Sequence, residues 1–226
     1  MEIMRDVEIN NQELQGLLGE WTDFAFEGKP YNDFNGDRFL NVGAPGHAQE
    51  GNREFHISDE YRDLIMSKGS SHNGFPETGK FWDMRSGHKR MSLNQKAVDG
   101  YKRLDNAMQT TLATKGNALA NTYPPGGFIS WHNNANAPSY NLIITWSENG
   151  DGYWKHVNPY TGETETVQDK PGWQCKAFYF GAYADQQEDL VYHMASTDCW
   201  RMTLSYIFDR VHKQFWEDII EEIETP

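Results

Sequence analysis

Along the first ninety residues the apolar positions follow no sustained period. Stretches such as FEGKPYNDFNGDRFLNVGAPGHAQEGN mix Gly, Asn and Asp with scattered aromatics, which predicts long loops with short strands. One helix is expected there, over SDEYRDLIMSK, with Ser58 as its cap and Glu60 to Met66 wound behind it. The pattern then turns helical. Leu93, Ala97, Tyr101, Leu104, Met108 and Leu112 recur at helical spacing, Ser92 and Gln95 form a capping box, and Gly116 ends the run. A Leu and Met stripe of this kind is a core face and carries no chemistry.

From Gly127 onward the period shortens to that of strands. GFISWHN, YNLIITW, GYWKHV, ETETV, GWQCKAFYF, LVYHM and WRMTLSYIF follow one another. Turn chemistry separates them: Asn149-Gly150 and Asp151-Gly152 mark a hairpin, and NPYTG marks another turn. The end, VHKQFWEDIIEEIE, places Phe215, Trp216, Ile219, Ile220 and Ile223 on one helical face and acids on the other. This order predicts a mostly β fold with flanking helices, a double-sheet barrel with a helical buttress. We expect a single domain over 1–226: an irregular region 1–90 that shapes the entrance, a supporting helix in 91–119, the barrel core in 120–208, and a C-terminal helix in 210–224.

Composition narrows the function classes. The chain has 226 residues, enough for one full core, and 8 Trp, 11 Tyr and 12 Phe carry much of the burial. Mean hydropathy is −0.78, and no run of about 18 apolar residues exists to cross a membrane. MEIMRDVEIN lacks an apolar signal core. Cys175 and Cys199 have no CxxC neighbours and read as buried free thiols in a reducing cytoplasm, the expected location. A net charge of −13 opposes a phosphate backbone, so duplex nucleic acid is not an expected partner. GxSxG, HExxH and P-loop signatures are absent from the sequence.

Two of the eight histidines stand out because strands deliver them: His132 ends GFISWH and His193 lies in LVYHMA. Taken singly, each is more often a satisfied, partly buried residue than a ligand. Their pairing with Arg201 changes the weighing. A mononuclear ferrous centre takes two imidazoles and a carboxylate on one face and leaves the other open for a 2-oxo acid and O2. The far carboxylate of that acid needs a cation, and the arginine fork suits it. In RMT, Arg201 and Thr203 share one strand face.

TYPPGGFISWHNN, with Tyr123, Pro125-Gly126 and His132 in order, together with LVYHMASTDCWRMTLSYIF, resembles the 2-oxoglutarate and Fe(II)-dependent dioxygenases, in particular the prolyl-4-hydroxylase-like branch. The resemblance covers roughly Thr122 to Phe208, and the variant pattern is similar to that of phage-encoded members, whose site of action would be the host cytoplasm. It implies a double-stranded β-helix (jelly-roll, cupin-like). It implies His132 and His193 as iron ligands with Asn134 at the third position, Arg201 as the partner of the distal 2-oxoglutarate carboxylate, and Thr203 or Tyr123 as helper. Tyr140 is a further candidate for 2-oxoglutarate. The implied reaction hydroxylates a C–H bond of a protein or peptide side chain, or of a small molecule, with succinate and CO2 as co-products and ascorbate as a supporting reductant.

The chain departs from that branch in two places. Arg201 stands where its prolyl hydroxylases use Lys, and Asn134 stands where the H-x-D pattern has a carboxylate. An amide oxygen is neutral and contributes less to divalent-metal affinity. Three readings follow: Asn134 ligates weakly, or it leaves a vacancy filled by water or a halide, or iron binding is lost and the barrel is a binding or structural module. The first is the main expectation. Asp151 and Asp185 are the alternative carboxylates. Trp131 is expected in the core, Trp154 as packing, and His156 exposed.

Overall fold

The computed structural model describes residues 4–27, 52–85, 95–114, 116–182 and 190–226. In chain order its elements are β1 (Met4–Val7), α1 (Gln12–Thr22), α2 (Arg53–His56), α3 (Asp59–Lys68), β2 (Gly79–Lys80), β3 (Trp82–Asp83), α4 (Gln95–Thr111), β4 (Asn117–Tyr123), β5 (Gly127–His132), β6 (Ser139–Ser147), β7 (Gly152–Val157), β8 (Thr164–Gln168), β9 (Gly172–Phe180), β10 (His193–Thr197), β11 (Arg201–Asp209) and α5 (Lys213–Glu224). Ser92, Leu93 and Asp185 lie outside the described residues.

Two antiparallel sheets face each other. The larger has strand order β1-β9-β6-β11-β4-β3 and the smaller β2-β5-β10-β7-β8. This is the expected jelly-roll, mostly β with flanking helices. The chain crosses between sheets at nearly every connection in the second half, as a double-stranded β-helix requires.

Strand alternation divides the larger sheet into two different interiors. On β11, Met202, Leu204, Tyr206 and Phe208 join Leu142 and Ile144 of β6 in one buried cluster. Leu14, Leu18 and Trp21 of α1, Leu104 and Met108 of α4, and Ile219, Ile220 and Ile223 of α5 complete it. The helical buttress is therefore three helices on the sheet's outer face. The other face of the same strands looks into the barrel, where Phe178, Phe180, Tyr123, Ile129 and Trp154 pack together. A third cluster, with Trp131, Met194, Tyr61 and Ile65, seals the smaller sheet against α3.

Several local devices follow from sequence. Ser58 Oγ accepts the Tyr61 amide at 3.2 Å and starts α3. Asn11 Oδ1 does the same for Leu14 at 3.0 Å and starts α1. The hairpin expected at Asn149-Gly150 and Asp151-Gly152 is corrected: β6 and β7 lie in different sheets, so this turn carries the chain from one sheet to the other, with Gly150 at φ 89° and Ser147 Oγ accepting its amide at 3.0 Å. The sequence pattern did not announce β1, α1 or β4. Asn117–Tyr123 pairs with β11 as an eighth strand of the C-terminal barrel, where seven were expected. Cys175 and Cys199 are both buried and unbridged.

The two-faced sheet makes an asymmetric prediction for neighbouring positions. Leu204→Ala leaves a cavity in a fully buried cluster and is expected to cost roughly 2–5 kcal/mol. Ser205→Ala, one position on, removes only the 3.0 Å hydrogen bond to Asn141 and is expected to cost about 1 kcal/mol. Urea denaturation of both variants checks this.

Candidate functional site

The barrel encloses a cavity of about 130 Å³. At roughly 10–15 Å³ per water position, that is room for a ligand of about ten heavy atoms. The cavity reaches from His132, His193 and Asn134 at one end to Arg201, Thr203 and Tyr123 at the other. Six of the seven candidate residues thus line one space.

Register explains the histidine pair. β5 and β10 are adjacent, and His132 and His193 are direct partners in the ladder. Their ring centroids lie 4.1 Å apart. Each ring is held by its Nδ1, 2.8 Å from the Ser130 carbonyl for His132 and 3.1 Å from the Val191 carbonyl for His193. Those carbonyls accept from Nδ1–H, so each neutral ring keeps its lone pair on Nε2, the arrangement a metal-binding imidazole needs. Burial keeps both rings neutral. It pulls His132 down to about 4 and His193 well below the ordinary value, and the mutual repulsion of the two rings adds to the shift in His193.

Asn134 sits just past β5 with φ 66°, a left-handed conformation that asparagine tolerates better than most residues. The turn is pinned from outside the barrel sequence. The Gly74 carbonyl accepts both the Asn133 amide at 3.3 Å and the Asn134 amide at 2.7 Å. Gly74 itself has φ 80°, and a Cβ there would lie 2.2 Å from the Ala135 nitrogen. His72, nearly fully buried, accepts the Gly74 amide on Nδ1 at 3.1 Å. Segment 72–78 then runs beside β5, where the Thr78 carbonyl accepts the Ser130 amide. The sequence reading passed over this strap; its only local signal is the turn dipeptide Asn73-Gly74.

At the far end Arg201 is buried against Asp169. Arg201 Nε donates to Asp169 Oδ2 at 2.7 Å, Nη2 donates to Oδ1 at 3.5 Å, and Nη1 donates to Thr203 Oγ1 at 2.5 Å. The guanidinium lies 5.5 Å over the Tyr123 ring. Burial pushes the Tyr123 phenol up, against the pull of Arg201. Asp169 reaches this position because residue 152 is glycine; a Cβ there would sit 2.3 Å from Asp169 Oδ2. Asp169 was not anticipated, since QDKPG reads only as a turn.

Two expectations are corrected. Tyr140 does not face the cavity. It shares its strand face with Leu142, but that face is the helix side, where Tyr140 packs on Trp216 and Tyr179 at 4.7 Å each. Asn141, Ile143 and Thr145 point inward instead. His156 is fully buried, not exposed: it pairs in register with His193, stacks on Trp154 at 4.7 Å, and its Nε2 lies 3.3 Å from Glu165 Oε2. Trp154 both packs and lines the cavity. Asp151 lies exposed in the β6–β7 turn, away from the histidines, and Trp131 is in the core.

No protein-family model matches the sequence, and no curated protein sequence matches it. Among solved structures the chain is similar to a prolyl-4-hydroxylase from Pseudomonas putida, at 16% identity over 92% of this chain and 91% of that one, with a TM-score of 0.44. It is also similar to the viral collagen prolyl hydroxylase of Paramecium bursaria Chlorella virus-1, solved as its 2-oxoglutarate complex. There identity is 10% over 68% of this chain and 92% of that one, with a TM-score of 0.31. A cupin domain from Schizosaccharomyces pombe aligns at 11% identity over 42% and 55% of the two chains, with a TM-score of 0.25.

Two outcomes are expected from this geometry. Gly74→Ala forces a Cβ into the Asn134–Ala135 backbone at a left-handed φ and is expected to cost about 2 kcal/mol or more. It should also speed amide hydrogen exchange at Asn134. The second concerns pH. The unfolded chain takes up a proton at His132 near the ordinary pKa of about 6.5, while the folded chain resists until about 4. The metal-free protein therefore loses stability as pH falls from 6.5, by roughly 3 kcal/mol at pH 4 from this one residue. Thermal melts against pH should show the loss, with a shallower slope in His132→Gln.

Proposed function

We propose that the protein is an Fe(II)- and 2-oxoglutarate-dependent oxygenase that hydroxylates a C–H bond. The observation that carries this reading is the paired imidazoles, each held at Nδ1 by a backbone carbonyl, lining the same cavity as Arg201 and Thr203. The donor set fits ferrous iron: two neutral nitrogen ligands, with the Asn134 amide as an oxygen donor. When bound, iron together with a 2-oxo acid supplies oxidising power toward a C–H bond, with succinate and CO2 as co-products.

The chain's own residues have separable tasks in this reading. His132, His193 and Asn134 hold the metal. Arg201 and Thr203 receive the distal carboxylate, and Tyr123 supports the guanidinium. Ile129, Trp154, Phe180 and Ala195 give the cavity dry walls, with Phe180 only 4.7 Å from the His193 ring, so that the electrostatics inside are little screened. For the substrate we propose a protein or peptide side chain presented at the Asn134 end, where Phe75 stands 54% exposed beside the Gly74 strap.

A second reading, a barrel that binds without catalysis, is favoured by one observation. Among the described residues no three His, Cys, Asp or Glu side chains are grouped to hold a metal ion, and Asn134 brings no charge.

Anaerobic titration with Fe(II) and 2-oxoglutarate separates the two readings. The oxygenase reading expects a visible charge-transfer band in the wild type that His132→Ala abolishes. A band only in Asn134→Asp overturns it in favour of the second.

A further inference from the structure

The cation at the inner end of the cavity is not free. Arg201 and Asp169 are both nearly fully buried, each side chain 4% exposed, and they share one edge of the guanidinium. Gln174 Nε2 adds a 3.2 Å hydrogen bond to Asp169 Oδ1, and Gly152 leaves room for the carboxylate. The other cation lining the cavity, Lys176, pairs with the exposed Asp6 of β1. Among the described residues, each cation lining this space is therefore matched by an acid, while the lining at the histidine end includes the Asn134 amide and no acid.

Resting on the oxygenase reading, we propose that Asp169 is a specificity-determining residue that supplies, at the Arg201 end, the negative charge that Asn134 does not supply at the histidine end. A ferrous ion and a 2-oxo diacid cancel, and Arg201 and Asp169 cancel, so the loaded cavity is neutral. An acid at both 134 and 169 would leave one net negative charge, and an amide at both would leave one net positive charge, each costly in a desolvated space. His193 and Thr197 mark the two ends on β10, four residues or roughly 13 Å apart, close enough for the charges to couple across the cavity. Asp169 also weakens a distal carboxylate relative to a ligand without one, because it already occupies the Nε edge of Arg201. Only the Nη side, beside Thr203, is left for the ligand.

The test is ligand binding by the metal-free full chain, read from the fluorescence of Trp154, which lines the cavity. The probes are 2-oxoglutarate and 2-oxobutyrate, which lacks the distal carboxylate. Asp169→Asn is expected to tighten 2-oxoglutarate by at least about tenfold and to leave 2-oxobutyrate within about threefold. Asn134→Asp is expected to weaken 2-oxoglutarate, and the double variant to fall between the singles. Should Asp169→Asn fail to fold, Gln174→Lys places a compensating cation beside Asp169 and is expected to move 2-oxoglutarate in the same direction. Weaker or unchanged 2-oxoglutarate binding in a folded Asp169→Asn or Gln174→Lys overturns the proposal, as does an equal gain for both acids; Asp169 then only holds Arg201 in place. Absence of binding by either acid in the wild type and every folded variant overturns the oxygenase reading as well.

Discussion

The period of two along β11 is the constraint on which the rest of the molecule depends. Met202, Leu204, Tyr206 and Phe208 hold three helices to the sheet, and the interleaved Arg201, Thr203 and Ser205 line the cavity. Neither set can shift without the other, because a one-residue slip would drive an arginine into the helical core and a leucine into the polar space. The strand fixes the position of the cavity's cation through apolar burial on its opposite face. Pairing with β4 and β6 along nearly its full length transmits that register to Tyr123 on one side and to Asn141, Ile143 and Thr145 on the other.

A cavity with a polar lining poses a solvation problem, and the structure answers it by pairing. The buried arginine, aspartate, threonine and serine of the lining are tolerated because they partner one another or a neighbouring strand: Arg201 with Asp169 and Thr203, Ser205 with Asn141. The histidines are handled differently. They are kept neutral by burial, which removes the repulsion that two imidazolium rings at 4.1 Å would suffer. One end of the cavity is thus stabilised by opposite charges and the other by the suppression of charge.

The fold was legible because turn residues and strand period agree over the second half of the chain. NPYTG closes the β7–β8 hairpin and Ser58 caps a helix, both from local chemistry alone; Asn149-Gly150 marks a turn but not a hairpin, because the strands it joins lie in different sheets. The first part was less legible, although α1 carries a readable stripe, Leu14, Leu18 and Trp21, behind the Asn11 cap. The convergence of His132, His193, Arg201, Thr203 and Tyr123 on one cavity was also accessible, since strand ends and alternation locate them. Tyr140 shows the limit of that reasoning. Alternation says that Tyr140 and Leu142 point the same way, but β6 is buried on both faces, so the pattern cannot say which face meets the helices. Asp169 and Gly74 were illegible for a different reason. Their roles come from contacts 32 and 60 or more residues distant, Asp169 with Arg201 and Gly74 with Asn134, and their neighbours spell nothing but turns.

Those two contacts bear on how the substitution at position 134 is understood. A site losing its purpose would be expected to relax wherever precision has a structural cost. Here the Asn134 turn is held by two hydrogen bonds to one carbonyl, at a glycine that no side chain can replace without collision. The opposite end buries an ion pair in a slot kept open by a second glycine. Buried ion pairs are weak sources of stability, and a left-handed non-glycine turn is mildly strained. Fold stability alone does not account for either. Both are readily understood if, as proposed, the amide oxygen of Asn134 is presented to a metal ion and the free edge of Arg201 to the acid bound beside it.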